Sequence, residues 1–383
     1  MDQVPAAMDR HFEVIHYHKN GGILLGASSL TGRYWFGSIW YFEDPGVAPD
    51  VEKCTAGVQL EAGLSDACWL DQTRVLVGMD TGGLALWELT DNLHTFVEQS
   101  SAVEHDDIVS SVCVCAGGSN LLSASYDRSV KVWDQETLQS IHTYRGHSDV
   151  VHCVCGLPSQ SDVFLTASQD GNVCLWDTRK PKPVSRLNKS PLQSLPTCVA
   201  WQPGEEHTYV VGGECGSLVV KDTRAAVSDH ITLRPHHRPV TRVSFQTDRS
   251  STLASVSEDC TVVVVDIAEQ QPKQLYRSTA HKDFVRGVSW ANDGTSIEKL
   301  ITCGWDSNVI SHLVPRWSKS NDPAAGDQVK MEVNGEPAET QEVKGSNSGR
   351  LATKIENVVN GNGDADLGDL SQVNTKAVVE TPT

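Results

Sequence analysis

The chain lacks the features that would assign it to several common functional classes. No run of apolar residues in its 383 positions is long enough for a membrane helix. The first residues, MDQVPAAMDRHFEV, have neither the basic region nor the apolar core of a secretory signal. A Walker loop, a G-x-G-x-x-G after a strand and an H-E-x-x-H are also absent. The sequence therefore predicts neither a nucleotide cofactor nor a metalloprotease site.

Basic residues are in deficit, because 31 Lys and Arg against 49 Asp and Glu give a net charge of −18. A protein dedicated to nucleic acids normally has a basic face, so this balance argues against direct binding of DNA or RNA. The same negative charge attracts basic proteins over a long range and speeds their encounter with the chain. We therefore expect basic protein partners and no direct contact with nucleic acid or membrane.

The eleven cysteines form no recognisable disulfide or metal framework. Their number is odd, and most lie inside strand-like patterns, as Cys113, Cys115, Cys153, Cys155 and Cys174 do. Such reduced thiols typically act as small hydrophobic core residues, which predicts a cytoplasmic or nuclear location. No second pair at zinc-finger spacing follows the two Cys-x-Cys pairs, so no structural metal is predicted.

What the sequence does contain is a repeated phrase. Residues 121–134 read LLSASYDRSVKVWD, and related copies, such as 163–177 and 253–266, recur along the chain. The position of the Trp in the clearest copies recurs at intervals of 43 to 47 residues. That position is held by Phe42, Trp87, Trp133, Trp176, Lys221, Val265 and His312. Seven copies at this period are the sequence signature of a propeller built from WD repeats.

Each copy reads as two strands joined by a tight turn. Residues 121–125 and 130–133 alternate with the period of two that half-buried strands show, and Asp-Arg-Ser between them suits a short hairpin. Another apolar strand precedes most copies, and a weaker one is expected to follow, for instance at 93–97 or 140–144. Four strands make one propeller blade, so we predict an all-β, seven-bladed WD-repeat propeller.

The predicted domain organisation is a short flexible leader over 1–10, the propeller over 11–316 and a disordered acidic tail over 317–383. Residues 316–383 contain 7 Lys or Arg against 11 Asp or Glu, and no aromatic residue follows position 318. Such a segment cannot bury enough apolar surface to offset its ordering entropy. The sequence leaves the ring closure open, because either residues 1–10 or the start of the tail could supply the fourth strand of the seventh blade.

Four copies share a His before the first strand, a hydroxyl in the second strand and an Asp in the turn, and two of them add a Trp. These residues are His105, Ser123, Asp127 and Trp133; His147, Thr166, Asp170 and Trp176; His236, Ser255 and Asp259; and His281, Thr302 and Asp306. A buried His needs partners for both ring nitrogens, which the Asp and the hydroxyl can supply. A catalytic triad uses the same residue types, but it occurs once per active site, whereas this set recurs four times. We therefore predict structural blade networks, no catalytic residue and no enzyme activity.

Segments outside the generic repeat resemble one particular family. They are 24–35 (LLGASSLTGRYW) with 37–40 (GSIW), 104–112 (EHDDIVSSV), 180–183 (KPKP), 257–260 (SEDC) and 280–285 (AHKDFV). In these segments, and over essentially the whole propeller, the chain is similar to the methylosome protein 50 family, the WD-repeat partners of the type II protein arginine methyltransferase. The acidic tail and the very short leader before Met8 depart from the family pattern.

The resemblance implies a non-catalytic subunit that docks on the N-terminal barrel domain of the methyltransferase and stabilises it, with four of each chain in the complex. It also implies that the complex symmetrically dimethylates arginines in the Gly/Arg-rich tails of Sm proteins and in histone tails. The other subunit would bind S-adenosylmethionine, so this chain is expected to need no cofactor.

Two aromatic residues are candidates for partner binding. Trp35 lies in an insert of the first repeat where a short polar turn would suffice, and Phe284 follows the His-Lys-Asp loop of the seventh. An exposed aromatic ring can accept a guanidinium or fill a pocket of a partner. The resemblance implies that the matching Trp and Phe contact the methyltransferase. The alternative is that Trp35 packs on the edge of its own blade and Phe284 caps the following strand.

Two other functional classes stay open at this stage. One is a different WD-repeat adaptor, such as a ubiquitin-ligase substrate receptor or a histone-binding chaperone. The other is a hydrolase with its site in the central channel, which would need convergent carboxylates, His residues or a metal there. The sequence shows no such groups in register across the repeats.

Overall fold

Short β-strands make up nearly all of the regular structure in the described part of the chain. The computed structural model describes residues 7–29, 35–90, 92–118, 120–187, 194–224, 230–268, 271–291 and 298–315. Within these ranges the helical turns are the short 3₁₀ turns Pro45–Val47, Val51–Lys53 and Ala116–Gly118. The predicted tail over 317–383 and residues 1–6 of the predicted leader lie outside the described residues.

The strands form seven antiparallel sheets that follow one another along the chain. The first three sheets consist of β1 (His11–Tyr17), β2 (Ile23–Ser29), β3 (Phe36–Phe42) and β4 (Ala56–Leu60); β5 (Leu64–Trp69), β6 (Arg74–Met79), β7 (Gly83–Thr90) and β8 (Thr95–Val103); and β9 (Val109–Val114), β10 (Asn120–Ser125), β11 (Ser129–Asp134) and β12 (Ser140–Arg145). The next two consist of β13 (Val151–Gly156), β14 (Val163–Ser168), β15 (Val173–Asp177) and β16 (Ser185–Arg186); and β17 (Pro196–Trp201), β18 (Thr208–Gly213), β19 (Leu218–Asp222) and β20 (His230–Leu233). The last two consist of β21 (Val240–Phe245), β22 (Thr252–Ser257), β23 (Val262–Asp266) and β24 (Lys273–Ser278); and β25 (Val285–Trp290), β26 (Glu298–Gly304) and β27 (Val309–Val314). Each sheet is one blade, so the predicted seven-bladed propeller is confirmed.

The first strand of each blade lies innermost. Strands β5, β9, β13, β17, β21 and β25 contact one another in succession, and β1 contacts both β25 and β5, which closes the ring. Hydroxyl groups bridge neighbouring blades here: Thr197 donates to the carbonyl of Val240 at 2.6 Å, and Thr241 donates to that of Val285 at 2.5 Å. The ring encloses a central cavity of about 680 Å³.

Hydrogen bonds join the first and seventh blades. The backbone N–H of Tyr17 donates to Ser289 at 3.0 Å, and Ser307 donates to the carbonyl of Arg10 at 2.8 Å. Within the described residues the seventh blade has three strands, and residues 7–10 of the predicted leader form no strand. Residues 1–6 and the start of the predicted tail lie outside that part of the chain. The two closure alternatives therefore stay open.

The hydrophobic core lies mainly between adjacent blades. Trp176 of the fourth blade stacks on Phe164 with ring centroids 5.9 Å apart, and Tyr144 of the third blade meets Trp176 edge-on at 5.3 Å. Trp40 and Trp290, which the sequence places on strands, are buried. Large aromatic rings thus fill the space between neighbouring blades, which widens with distance from the central cavity.

One strand begins later than the sequence predicts. The fourth strand of the second blade is expected at 93–97 but runs over Thr95–Val103. Asn92 and Leu93 adopt left-handed φ angles of 57° and 72° and form the turn that precedes it. A residue in that conformation cannot continue an extended strand, so the strand starts after the turn.

Candidate interaction surface of the propeller

The structure joins the predicted residues of the third blade in one buried network. His105 Nδ1 donates to Asp127 at 2.8 Å, and its Nε2 accepts a hydrogen bond from Ser123 at 2.7 Å. The indole of Trp133 donates to the same Ser123 oxygen at 2.8 Å. Asp127 also accepts the backbone N–H of Asp106 at 3.1 Å, which ties the loop before the first strand to the hairpin turn.

The fourth blade repeats this arrangement. His147 donates to Asp170 at 2.9 Å and accepts from Thr166 at 2.7 Å, while Trp176 donates to Thr166 at 2.8 Å. In the sixth blade, His236 contacts Asp259 at 3.2 Å and Ser255 at 2.8 Å. No indole completes the set there, because Val265 occupies the position.

In the seventh blade a second His takes the place of the indole. His281 bonds to Asp306 at 3.0 Å and to Thr302 at 2.8 Å, and His312 Nε2 donates to Thr302 at 2.8 Å. His312 Nδ1 lies 3.1 Å from the Tyr276 hydroxyl, which donates to it when His312 is neutral. Burial, with a smaller repulsion from His281, lowers the pKa of His312 to about 4.

Each network ties the strands and loops of a single blade to one another and is closed to a substrate. Burial opposes ionisation, yet hydrogen bonds from the paired His residues hold the pKa of Asp127, Asp170 and Asp259 well below its usual range. The hydroxyl-bearing residues of the four networks are fully buried. A nucleophile that no substrate can reach has no catalytic use, so the geometry favours the structural interpretation.

The exposed candidates lie on one face of the propeller. Because neighbouring strands are antiparallel, the loop before each first strand and the turn between the second and third strands lie at the same end of the blade. We call this end the upper face. Trp35 lies directly before β3 and Phe284 directly before β25, so both are on the upper face.

Trp35 lies at the boundary between the first and second blades. Its side chain is 47% exposed and lies beside Gly63 and Asp80 of the second blade. A Cβ at Gly63 would come within 2.7 Å of the Asp80 carboxylate and 3.5 Å of the Trp35 Cβ, so glycine lets the two approach. One oxygen of Asp80 is buried without a hydrogen-bond partner among the described residues, and burial raises the pKa of Asp80.

Phe284 is more enclosed than the sequence predicts. The guanidinium of Arg238 lies 5.1 Å from its ring centroid, and the ring of Trp305 lies 5.3 Å away. Arg238 also forms an ion pair with Glu258 at 3.2 Å. A partner cation that stacks on Phe284 must therefore compete with Arg238, a cation of the same chain.

Sequence reasoning missed Trp305, which lines the mouth of the central cavity as Trp35 does. Its indole donates to Glu13 at 2.9 Å, and Arg286 bonds to the other oxygen of Glu13 at 3.0 Å. The sequence contains a signal, because Trp305 directly follows the second strand, where the fourth blade has the polar residue Gln169. The third blade has an aromatic, Tyr126, at the same position, and an aromatic residue where other repeats are polar could have identified both.

Inside the cavity, one ion pair joins distant blades. Arg242 of the sixth blade donates to Asp66 of the second at 2.6 Å, and Asp66 also accepts the backbone N–H groups of Ala67 and Val112 at 3.0 and 2.9 Å. Burial and the Arg242 charge lower the pKa of His16, which also lines the cavity, to about 4. The Asp66 and Arg242 charges are thus neutralised within the chain.

The described residues hold no cluster of three or more His, Cys, Asp or Glu side chains suited to a metal ion. Within the same ranges, no helical segment has the length and apolar character needed to cross a membrane.

Comparison with known proteins agrees with the repeat architecture. The family model of the WD domain, G-beta repeat, matches residues 96–134, 138–177, 229–266 and 272–310. Methylosome protein WDR77 of Xenopus laevis is 39% identical over 311 residues, which cover 81% of this chain and 92% of that protein. The chain belongs to the family of methylosome protein WDR77. The predicted resemblance to the methylosome WD-repeat proteins is thereby confirmed, and the chain is placed among WD-repeat adaptors and not among enzymes.

More distant relatives share the fold. GATOR2 complex protein WDR24 of Danio rerio is 25% identical over 77% of this chain and 38% of its own length. A solved chain described as "COPII on membranes, outer coat vertex" superposes with a TM-score of 0.68 at 17% identity, covering 83% of this chain and 88% of the other. At that identity the similarity shows the propeller fold alone.

Proposed function

We propose that this methylosome-family propeller docks on the type II protein arginine methyltransferase through its upper face, with Trp35 as the central contact. The observation that carries the proposal is a half-exposed Trp35 side chain whose Cβ lies beside Gly63 and the Asp80 carboxylate. Large aromatic residues are costly to leave in water and commonly dominate the affinity of interfaces. Membership of the methylosome family supports this choice of partner.

The chemistry of the site suggests what it binds. A guanidinium or ammonium group of the partner can stack on Trp35 and form an ion pair with the partly exposed Asp80 carboxylate. Phe284 is less accessible, because Arg238 lies over its ring and Trp305 packs beside it. We therefore propose that Trp35 and Asp80 form the first contact with the methyltransferase and that Phe284 enlarges the contact area.

The wider role is also a proposal. With a net charge of −18, the chain attracts basic proteins, which suits presentation of Gly/Arg-rich tails of Sm proteins and of histone tails to the methyltransferase. The complex would contain four copies of each chain, act in the cytoplasm and nucleus, and bind S-adenosylmethionine on the catalytic subunit.

The test is the affinity of the full chain for purified methyltransferase. Trp35→Ala should weaken binding by roughly 2 kcal/mol, or about thirtyfold, with little change in the melting temperature. The matched control is Leu313→Ala, which removes a side chain that is 61% exposed on β27. Unchanged affinity of the Trp35 variant would place the docking site elsewhere on the ring.

Asp80→Asn separates the charge from the aromatic contact. It should weaken binding at low salt more than at high salt, because an ion pair to the partner is screened by salt. Equal affinity of wild type and variant at all salt concentrations would show that Asp80 does not pair with a partner cation.

A further inference from the structure

A ring of six side chains surrounds the upper mouth of the central cavity. In the second to seventh blades, the residue that follows the second strand donates its backbone N–H to the carbonyl of the residue that precedes the first strand. These bonds of 2.9 to 3.1 Å run from Asp80 to Gly63, Tyr126 to Ile108, Gln169 to Val150, Glu214 to Leu195, Glu258 to Pro239 and Trp305 to Phe284. One repeated backbone contact thus places the six donor residues at the same end of their blades, and all six line the cavity.

The mouth carries an excess of negative charge. The ring contains three carboxylates, two aromatic rings and one amide, but no cation. Among the described residues that line the whole cavity there are five carboxylates and two guanidiniums, those of Arg242 and Arg286. Both guanidiniums are paired inside the chain, Arg242 with Asp66 at 2.6 Å and Arg286 with Glu13 at 3.0 Å. The remaining charge attracts a cation from solution.

The three carboxylates of the ring differ in what they contact. Glu258 forms an ion pair with Arg238 at 3.2 Å, and Asp80 lies beside Trp35 in the docking contact proposed above. Glu214 is exposed, and its carboxylate makes no hydrogen bond or ion pair within the described part of the chain. Glu214 is therefore the carboxylate of the ring that can pair with a ligand cation without displacing a partner.

Tyr126 supplies an aromatic ring on the same side of the mouth. It is 38% exposed and meets the ring of His152 edge-on, with centroids 6.0 Å apart. Burial lowers the pKa of His152, so this neighbouring ring is neutral near pH 7 and does not repel a cation. Gln169 of the fourth blade stands between Tyr126 of the third and Glu214 of the fifth. Three adjacent blades thus present an aromatic ring, an amide and a carboxylate to the cavity.

We propose that the mouth of the cavity, at Tyr126 and Glu214, holds arginine side chains of a Gly/Arg-rich segment. A guanidinium can stack on the tyrosine ring, and the carboxylate can accept two parallel hydrogen bonds from a guanidinium. Glycine beside the arginine lets the peptide backbone approach the rim closely. The inference rests on the proposed presentation of Gly/Arg-rich tails, but not on the docking contact at Trp35, which lies on other blades.

The test is the affinity of the full chain for a short fluorescent peptide of alternating glycine and arginine, measured by fluorescence anisotropy. Tyr126→Ala and Glu214→Gln should each weaken binding about two- to fivefold, as expected for an exposed cation–π contact or ion pair. Tyr126→Phe should bind as the wild type does, because stacking needs the ring and not the hydroxyl. A peptide with lysine in place of arginine should bind the wild type more weakly, and this difference should shrink in Tyr126→Ala.

Asp106→Asn is the matched control for charge. Asp106 is exposed on the same upper face but is not among the residues that line the cavity. It removes the same charge as Glu214→Gln, so a site at the mouth predicts a larger loss for Glu214→Gln. The affinity of Tyr126→Ala and Glu214→Gln for purified methyltransferase should stay unchanged. If Tyr126→Ala fails to fold, Glu214→Gln still decides, because that side chain is exposed and unpaired.

The outcomes that would overturn the proposal differ in what they leave standing. Equal losses in Glu214→Gln and Asp106→Asn would reduce the effect to net charge. A loss of methyltransferase affinity in Tyr126→Ala would assign the mouth to docking of the enzyme. Wild-type affinity for the peptide in all variants would overturn the site at the mouth alone. No binding of the peptide by the wild type would overturn the proposed presentation of basic tails as well.

Discussion

Single residues matter most in this protein where a polar side chain is buried with all of its partners. Asp127 accepts hydrogen bonds from His105, from two backbone N–H groups and from the Ser129 hydroxyl, so its removal leaves several donors unpaired at once. An unsatisfied buried donor costs more than the hydrogen bond itself contributes. The networks are therefore sensitive to truncation although none of their members is exposed to partners.

Asp127→Ala tests this at the residue scale. We expect a loss of about 1–3 kcal/mol in the free energy of unfolding, because His105 loses its acceptor in the core. Denaturant unfolding of wild type and variant measures the difference, and Asp170→Ala should behave alike. Asp106→Ala, on the exposed neighbouring position, is the control with little effect expected. Normal stability with lost partner binding would instead assign Asp127 to a recognition site.

At the scale of the hairpin, one turn position repeats around the ring with different residues. Gly171 has φ of 82°, and Arg128 and Cys260, at the equivalent position of other blades, have φ of 70° and 64°. Left-handed backbone is strained for residues with a Cβ and free of strain for glycine. The hairpin of each of these blades thus requires a left-handed backbone at this position, and Arg128 and Cys260 adopt it despite the strain.

This gives a reciprocal pair of predictions for the turn. Gly171→Ala should cost about 1 kcal/mol of stability, since its surroundings are open and only the backbone conformation opposes the new Cβ. Arg128→Gly should be neutral or stabilise by up to about 1 kcal/mol, because relief of strain exceeds the entropy lost from a more flexible unfolded chain. Thermal melts of both variants check the signs, and a stable Gly171→Ala protein would contradict the account.

Across the whole molecule, the Asp66–Arg242 pair connects the second, third and sixth blades through the cavity. Breaking a buried pair leaves a charge without its partner. Asp66→Ala should cost roughly 2–4 kcal/mol and more than Arg242→Ala, because Asp66 also holds two backbone N–H groups. A double-mutant cycle isolates the coupling between the two side chains. A coupling near zero would mean that water in the cavity replaces the pair.

We expect the stability of the propeller to be highest over a middle range of pH and to fall at lower and at higher pH. On the acid side, the folded pKa of His16 and His312 is about 4 against 6.5 for a free His, so stability is lost as the pH falls from 6.5. The depressed pKa of Asp127 and Asp170 adds a further loss below their ordinary value of 3.8.

On the alkaline side, burial raises the pKa of Cys198 to about 12 against 9.0 for a free thiol, so the unfolded chain releases protons first and stability falls above pH 9. Melting temperatures measured under reducing conditions between pH 4 and pH 10 check both limits. His312→Gln should reduce the loss of unfolding free energy between pH 6.5 and pH 4 by roughly 1–3 kcal/mol, since glutamine does not titrate. An unchanged slope in this variant would show that His312 is not held neutral.

The sequence by itself determined the architecture, because each repeat carries its own strands and turn. Periodicity identified seven blades, and the innermost strands at 64–69, 109–114, 240–245 and 285–290 begin and end where the sequence predicts. The His, hydroxyl and Asp of each network also follow from the repeat, since all three belong to one blade. These features are local in the chain, so their spacing reflects their geometry.

Contacts between blades were decided only by the tertiary structure. The approach of Asp80 and Trp35 at Gly63, the enclosure of Phe284 by Arg238, and the Asp66–Arg242 pair each join residues of different repeats. Sequence spacing gives no measure of these distances, because closing the ring brings together residues as far apart as 66 and 242. The period of the repeat specifies each blade, whereas the side chains that meet across blade boundaries determine the surface and the cavity.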